Sequence, residues 1–92
     1  MALSLPNSGA DVTVSTTAVS LIAVNPARVS LILSNVSANG CRVGAASVTA
    51  TTGLKLAGNT QLVLNPAPTT QVFAIRDAAA DAVVNAQEIV NA

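Results

Sequence analysis

Along most of the chain, apolar and polar positions alternate with a period of two. Val12 and Val14 alternate with Asp11, Thr13 and Ser15, and Val29, Leu31 and Leu33 alternate with Arg28, Ser30, Ile32 and Ser34. Such alternation in β-branched and aliphatic residues predicts half-buried strands. Between Val19 and Val24 both phases are apolar, since Val19, Leu21 and Ala23 are joined by Ile22 and Val24. Further strands are predicted at Cys41-Arg42-Val43, residues 47–50, Leu54-Lys55-Leu56, Gln61-Leu62-Val63-Leu64 and residues 72–76. Residues 1–10, with Pro6 and Gly9 and no alternation, read as an extended arm.

Turn chemistry punctuates these segments. Asn39-Gly40 and Gly58-Asn59 each predict a tight hairpin, because Asn and Gly tolerate the positive φ of a type I′ turn. Asn25-Pro26-Ala27 and Asn65-Pro66-Ala67 read as the same turn used twice rather than as an internal duplication, since their flanks match poorly. The C-terminal segment fits two patterns. Ala79, Ala82, Val83, Ala86, Ile89 and Val90 would share a helical face, yet Val83-Val84 and Ile89-Val90 are strand formers. A closing strand completes a sandwich and is the preferred reading. The expected fold is therefore all-β: a small antiparallel β-sandwich or barrel of about seven to eight short strands, occupying residues 11–92 behind the arm.

Composition changes the picture in two ways. With 92 residues, the chain is one domain whose core alone is marginal. Hydrophobic residues make up 51% and charged residues 9%, with a net charge of +0, so association is favoured over repulsion. The apolar runs are too short and too interrupted for a membrane span of about 20 residues. The first residues lack the basic and apolar regions of an export signal. Synthesis in a reducing cytoplasm is expected.

Candidate chemistry is sparse. There is no His, hence no imidazole base and no His ligand, and one Cys cannot build a zinc site. Neither a catalytic residue nor a metal or other cofactor is expected. Arg28, Arg42, Lys55 and Arg76 are too few and dispersed for a phosphate footprint, and with Phe73 as the sole aromatic there is no stacking platform. No nucleic-acid partner is expected. Asp77 and Asp81 form the closest carboxylate pair, but the neighbouring loop lacks the further oxygens calcium needs, so a solvated turn is the better reading. Arg42 beside Cys41 would lower its pKa, yet no acid–base partner accompanies it, and an ordinary half-buried side chain is expected.

The informative feature is collective. Ile22, Val24, Ile32 and Val63 lie at the strand phase opposite their regular apolar partners, and few charges are left to dilute that surface. Together with Leu3 and Leu5 of the arm, they form the candidate interface, because an exposed apolar patch marks an interaction site.

The stretch Asn25-Pro26-Ala27-Arg28-Val29-Ser30-Leu31-Ile32-Leu33-Ser34-Asn35-Val36-Ser37 resembles the opening signature of small β-sandwich virion proteins of tailed bacteriophages, in which an Asn-Pro-x-Arg turn enters a strand ending at Asn-x-Ser. The likeness continues through Arg42-Val43-Gly44, Thr51-Thr52-Gly53-Leu54 and Phe73-Ala74-Ile75 to a Val-rich closing segment containing Glu88. It departs in the Ala-rich stretch 78–82, where the last turn has no glycine. The resemblance implies a non-enzymatic capsid decoration (cement) subunit on the virion exterior, with the major capsid protein as partner and a homo-oligomer, a trimer favoured, as its state. It equally admits a tail, neck or head-fibre-base accessory protein. A ligand- or glycan-binding β module is a third reading, weakened by the lack of aromatics.

Overall fold

The computed structural model describes residues 2–91; Met1 of the arm and Ala92 of the closing segment lie outside the described residues. Nine strands follow in order: β1 (Leu3–Ser4), β2 (Asp11–Val14), β3 (Val19–Ile22), β4 (Arg28–Asn35), β5 (Cys41–Gly44), β6 (Leu54–Leu56), β7 (Gln61–Leu64), β8 (Val72–Arg76) and β9 (Ala82–Asn91). Among the described residues there is no helix. The fold is all-β, as the alternation predicted. The count exceeds the expected seven to eight because the arm itself contributes β1.

The strands form two antiparallel sheets. In the first, β9 pairs β4 on one side and both β1 and β2 on the other, and β4 pairs β7; the second runs β3-β8-β5-β6. Chain order alternates between them: β2 and β3 lie in opposite sheets, as do β3 and β4, β4 and β5, β6 and β7, β7 and β8, and β8 and β9. From β2 onward this is the connectivity of a jelly roll, two Greek keys wrapped into a sandwich. Only β5 and β6 are both consecutive and paired.

That topology corrects both hairpin predictions. Asn39-Gly40 joins β4 to β5 and Gly58-Asn59 joins β6 to β7, and each turn crosses between sheets. Gly40 does not have positive φ; the positive values belong to Asn59 (58°) and Gly53 (86°). Asn35 shapes the first crossing. It is buried, donates through Nδ2 to Asn39 O (2.8 Å) and Leu56 O (3.3 Å), and accepts at Oδ1 from the Ser37 amide (3.0 Å) and hydroxyl (2.7 Å). The predicted strand at 47–50 is also corrected: it is part of the loop between β5 and β6, braced by Thr49 and Thr52, whose side-chain oxygens lie 2.9 Å apart.

The closing segment is a strand with strict alternation. Ala82, Val84, Ala86, Glu88 and Val90 point inward, and Val83, Asn85, Gln87 and Ile89 outward. Its alanines overcome their helical preference because tertiary burial outweighs propensity. Ala86 sits opposite Leu33, where a small residue leaves room for a large one. The core is aliphatic, with Leu31, Leu33, Leu56, Val14, Val84 and Cys41 fully enclosed. Phe73 is half-buried and lies outside it, flanked in register by Ser20 and Gly44 on the outer face of the second sheet.

One irregularity redirects a charged side chain. The β4–β9 register jumps between Arg28↔Val90 and Ser30↔Ile89. This bulge puts Val29 out of line with Leu31 and Leu33, correcting the expected face, and turns Arg28 into the protein.

Candidate functional site: a charge-poor sheet face and an end whose charge is internal

Two ends of the sandwich can be told apart. One gathers the loops 15–18, 36–40, 57–60 and 77–81. The other gathers 23–27, 45–53 and 65–71, together with β1 and the last residues of β9. The first end carries the exposed charge. Lys55 Nζ and Arg42 Nε lie 2.7 and 3.2 Å from Asp77 Oδ2, and Arg76 Nη1 lies 2.6 Å from Asp81 Oδ1. Asp77 and Asp81 therefore engage cations separately instead of sharing one ligand shell. The hydrogen bond from Lys55 leads in holding the Asp77 carboxyl below its ordinary range; Arg42 reinforces it and burial opposes it.

Cys41, expected to be half-buried, is fully buried. Burial pushes its thiol up to about 11; Asp77 adds to the rise and Lys55 opposes it. Arg42 does not lower it, because alternation sends Arg42 to the other face, where it meets Asp77.

At the other end the charge is internal. The Arg28 side chain is wholly enclosed and donates through Nε to Glu88 Oε1 at 3.0 Å. Its Nη1 donates to Pro68 O (2.7 Å) and Thr70 O (3.0 Å), and its Nη2 to Ala23 O. Asn25 completes the cluster: Nδ2 donates to the same Glu88 oxygen (3.0 Å), while Oδ1 accepts from the Ala27 amide (3.0 Å). Two backbone bonds, Asn25 N–H to Thr69 O (2.8 Å) and Ala67 N–H to Val29 O (2.9 Å), join the first Asn-Pro turn and the start of β4 to the loop 65–71. The Asn25-Pro26-Ala27-Arg28 motif is thus a clamp holding loops 23–27 and 65–71 against β9.

The structure brings some predicted interface residues together and separates others. Ile32 and Val63 are direct cross-strand partners on the outer face of the first sheet, with Val63 56% exposed and Ile32 half-buried. Ile22 is set apart: the β3–β8 register shifts between Ser20 and Ile22, and Ile22 packs against the core. Val24 lies beyond the end of β3 in a loop and is 66% exposed, so it does not extend a strand face. Leu3 and Leu5 are 53% and 64% exposed, although the arm is tied down. Leu3 and Ser4 pair with Asn91 and Val90; Gly9 N–H donates to Gln87 Oε1 (2.8 Å), and Gln87 Nε2 to Asn7 O (2.8 Å). A side chain at Gly9 would collide with the backbone oxygen of Ala86, so only glycine lets the arm lie this close to β9.

Sequence reasoning missed Val83 and Ile89, which join Ile32 and Val63 on the same outer face. Parity would have found them once Glu88 was placed inward. That face is otherwise lined by Ser34, Gln61, Asn85, Gln87 and Thr13, with Ser30 in register on it but buried, and among the described residues its one charged side chain is Asp11 at the β2 margin. It also missed an apolar cavity of about 230 Å³ at the Asn-Pro end, between the edges of β6 and β7, with Val43, Leu54, Leu64, Pro68 and Val72 in its walls. No group of three or more potential metal ligands occurs among the described residues. No protein-family model, curated protein or solved structure matches the chain.

Proposed function

We propose that this chain is a structural virion protein of a tailed bacteriophage, a decoration (cement) subunit that binds the outside of the capsid and stabilises the shell. One observation carries the reading: the outer face of the β2-β9-β4-β7 sheet presents Ile32, Val63, Val83 and Ile89 with a single formal charge at its margin. Interface cores are depleted of charge in this way, whereas a free sheet face is ordinarily diluted with it. Jelly rolls recur in viral shells and in lectins and cupins, so the architecture agrees with the reading by analogy only. The motifs resembling those of virion proteins add to it, and in this structure they make the clamp and the β4–β5 crossing.

The mechanism is burial. A shell subunit or neighbouring copy covering the face removes apolar surface at about 25 cal/mol per Å² and desolvates almost no charge. The deciding experiment counts copies per particle, by quantitative mass spectrometry of intact virions of the virus carrying the gene, relative to its major capsid protein. Hundreds of copies support decoration. A dozen or fewer would move the protein to the neck or tail, and its absence from particles would overturn the virion reading.

A further inference from the structure

The arm leucines and the cavity form a second pair of apolar surfaces, the first at the margin of the sheet face, since Leu3 stands opposite Asn91 on the outward side of β9. Leu3 and Leu5 gain almost nothing from their own domain: the arm is held by backbone pairing with β9 and by the side-chain amide of Gln87, while both side chains stay more than half exposed. The cavity has the opposite deficit. It is walled by aliphatic side chains, and its volume exceeds the roughly 150 Å³ of an engineered apolar cavity that accepts benzene, so a branched aliphatic side chain fits.

Arm and cavity lie at the same end but on opposite lateral edges. The arm runs along the free edge of β9, and the cavity sits beside β7, three strand spacings or roughly 14 Å away. Neither surface carries a charged side chain, so two copies meeting here desolvate no side-chain charge. We propose that the arm of one copy seats Leu3 and Leu5 in the β6/β7 cavity of a second copy, joining copies head to tail.

The contact is heterologous, because arm and cavity are different surfaces of the same chain, and such contacts propagate until a ring closes. Two half-exposed leucines cover far less than the ~1,200 Å² of a stable pairwise interface. A lone pair of copies therefore does not persist, and the contact holds when a ring closes and each copy is held twice. The clamp is the support for this socket, since Arg28 fixes the carbonyls of Pro68 and Thr70 in its wall.

The experiment is oxidative cross-linking of the full chain carrying Leu3→Cys and Leu54→Cys, Leu54 standing half-exposed on β6 in the cavity wall. Native Cys41 is buried and does not compete. Within one copy the two new thiols lie on opposite edges, well beyond the roughly 7 Å Cα separation a disulfide allows. Covalent oligomers on a non-reducing gel, returning to monomer on reduction, are the expected result. Chains that stay monomeric with both thiols free overturn the proposal, as does an intramolecular disulfide, which would mean the arm fills its own cavity. In parallel, Leu5→Asp is expected to reduce the light-scattering mass to that of a monomer with an unchanged far-ultraviolet spectrum. An unchanged mass overturns the proposal. Neither readout uses virus particles, so the contact can fail while the virion reading stands, and the reverse.

Discussion

Removing the guanidinium of Arg28 tests the clamp most directly. Arg28→Met keeps the volume of the stem but leaves the Glu88 carboxylate almost fully enclosed, with only the Asn25 amide at 3.0 Å to answer it. It also strips donors from the carbonyls of Pro68, Thr70 and Ala23. Breaking one side of a buried ion pair costs about 3–5 kcal/mol, because the remaining charge is uncompensated. At ~0.05–0.15 kcal/mol per residue, a domain of this size has about 5–14 kcal/mol in total. The variant should therefore lose a large part of its stability, with Tm falling by roughly 12–40 °C at 4–8 °C per kcal/mol. Glu88→Gln keeps an acceptor at Oε1 and should cost less, about 1.5–3 kcal/mol, the worth of a hydrogen bond to a charged group. The double variant has no orphaned charge and should be more stable than the sum of the single losses implies, by about 2 kcal/mol or more. Urea unfolding of all four proteins, followed by circular dichroism and analysed as two-state, measures this coupling. If the single losses add to the double within ~0.5 kcal/mol, the two side chains act independently and the clamp has been misread.

Other perturbations read other parts of the molecule. Val63→Asp places a charge on an already exposed site and should change monomer stability by no more than about 0.5 kcal/mol, yet abolish assembly through the sheet face; unaltered assembly by sedimentation would mean that this face takes no part in it. Ile32→Asp should behave similarly at a higher intrinsic cost, about 1–2 kcal/mol, because Ile32 is half-buried against Val63. Gly53→Ala forces a side chain onto φ 86° and to 2.6 Å from Val43 O, and should cost about 1–3 kcal/mol in urea unfolding. Stability should be nearly level between about pH 4 and pH 9 and fall on both sides. On the alkaline side the folded state holds the Cys41 proton up to about pH 11 while the unfolded thiol releases it near pH 9, so stability is lost across that interval, on the order of 2 kcal/mol. On the acid side the lowered Asp77 pKa gives a contribution present above the unfolded value near pH 4 and lost as pH falls through the folded one. Cys41→Ser should flatten the alkaline limb alone.

How much of this was legible in the sequence depended on whether the information is local. Alternation is local, so β2, β4 and β9 could be read from their own residues, and β9 kept its period of two through an alanine-rich composition that also suits a helix. Turn chemistry is local as well, and Asn39-Gly40 and Gly58-Asn59 do reverse the chain. Which sheet the next strand joins is not local. In a jelly roll nearly every pairing spans a large part of the chain, such as β2 with β9, so the expected hairpins became crossings. A bulge is equally hard to foresee: one extra residue at Val29 sent Arg28 inward, and a residue counted among four dispersed cations became the centre of a buried network. Val48 misled in the opposite sense. It is buried and followed by the β-branched Thr49, as in a strand, but belongs to a loop that dips into the core. The cavity had no sequence signal, because β5, β6, β7 and the start of β8 assemble it jointly.

The distribution of charge, more than its amount, sets how this molecule can be covered. Of eight charged side chains, Arg28 and Glu88 neutralise each other inside, and Arg42, Lys55, Arg76, Asp77 and Asp81 gather at the end opposite the Asn-Pro turns. Burying that second group would require desolvating several ions already well served by water and by each other, at several kcal/mol per ion. Burying the Asn-Pro end or the outer sheet face requires almost none, and Leu3, Leu5, Val24, Leu54 and Val63 supply the gain. A chain of zero net charge would otherwise be prone to indiscriminate association. Here solvation restricts it: covering the sheet face or the Asn-Pro end desolvates almost no side-chain charge, whereas covering the charged end desolvates five. The clamp belongs to the same logic, because an Arg28 head group left free at the Asn-Pro end would place a charge on a surface that otherwise has none. Folding that charge inward against Glu88 keeps the end apolar and fixes the loops that shape it.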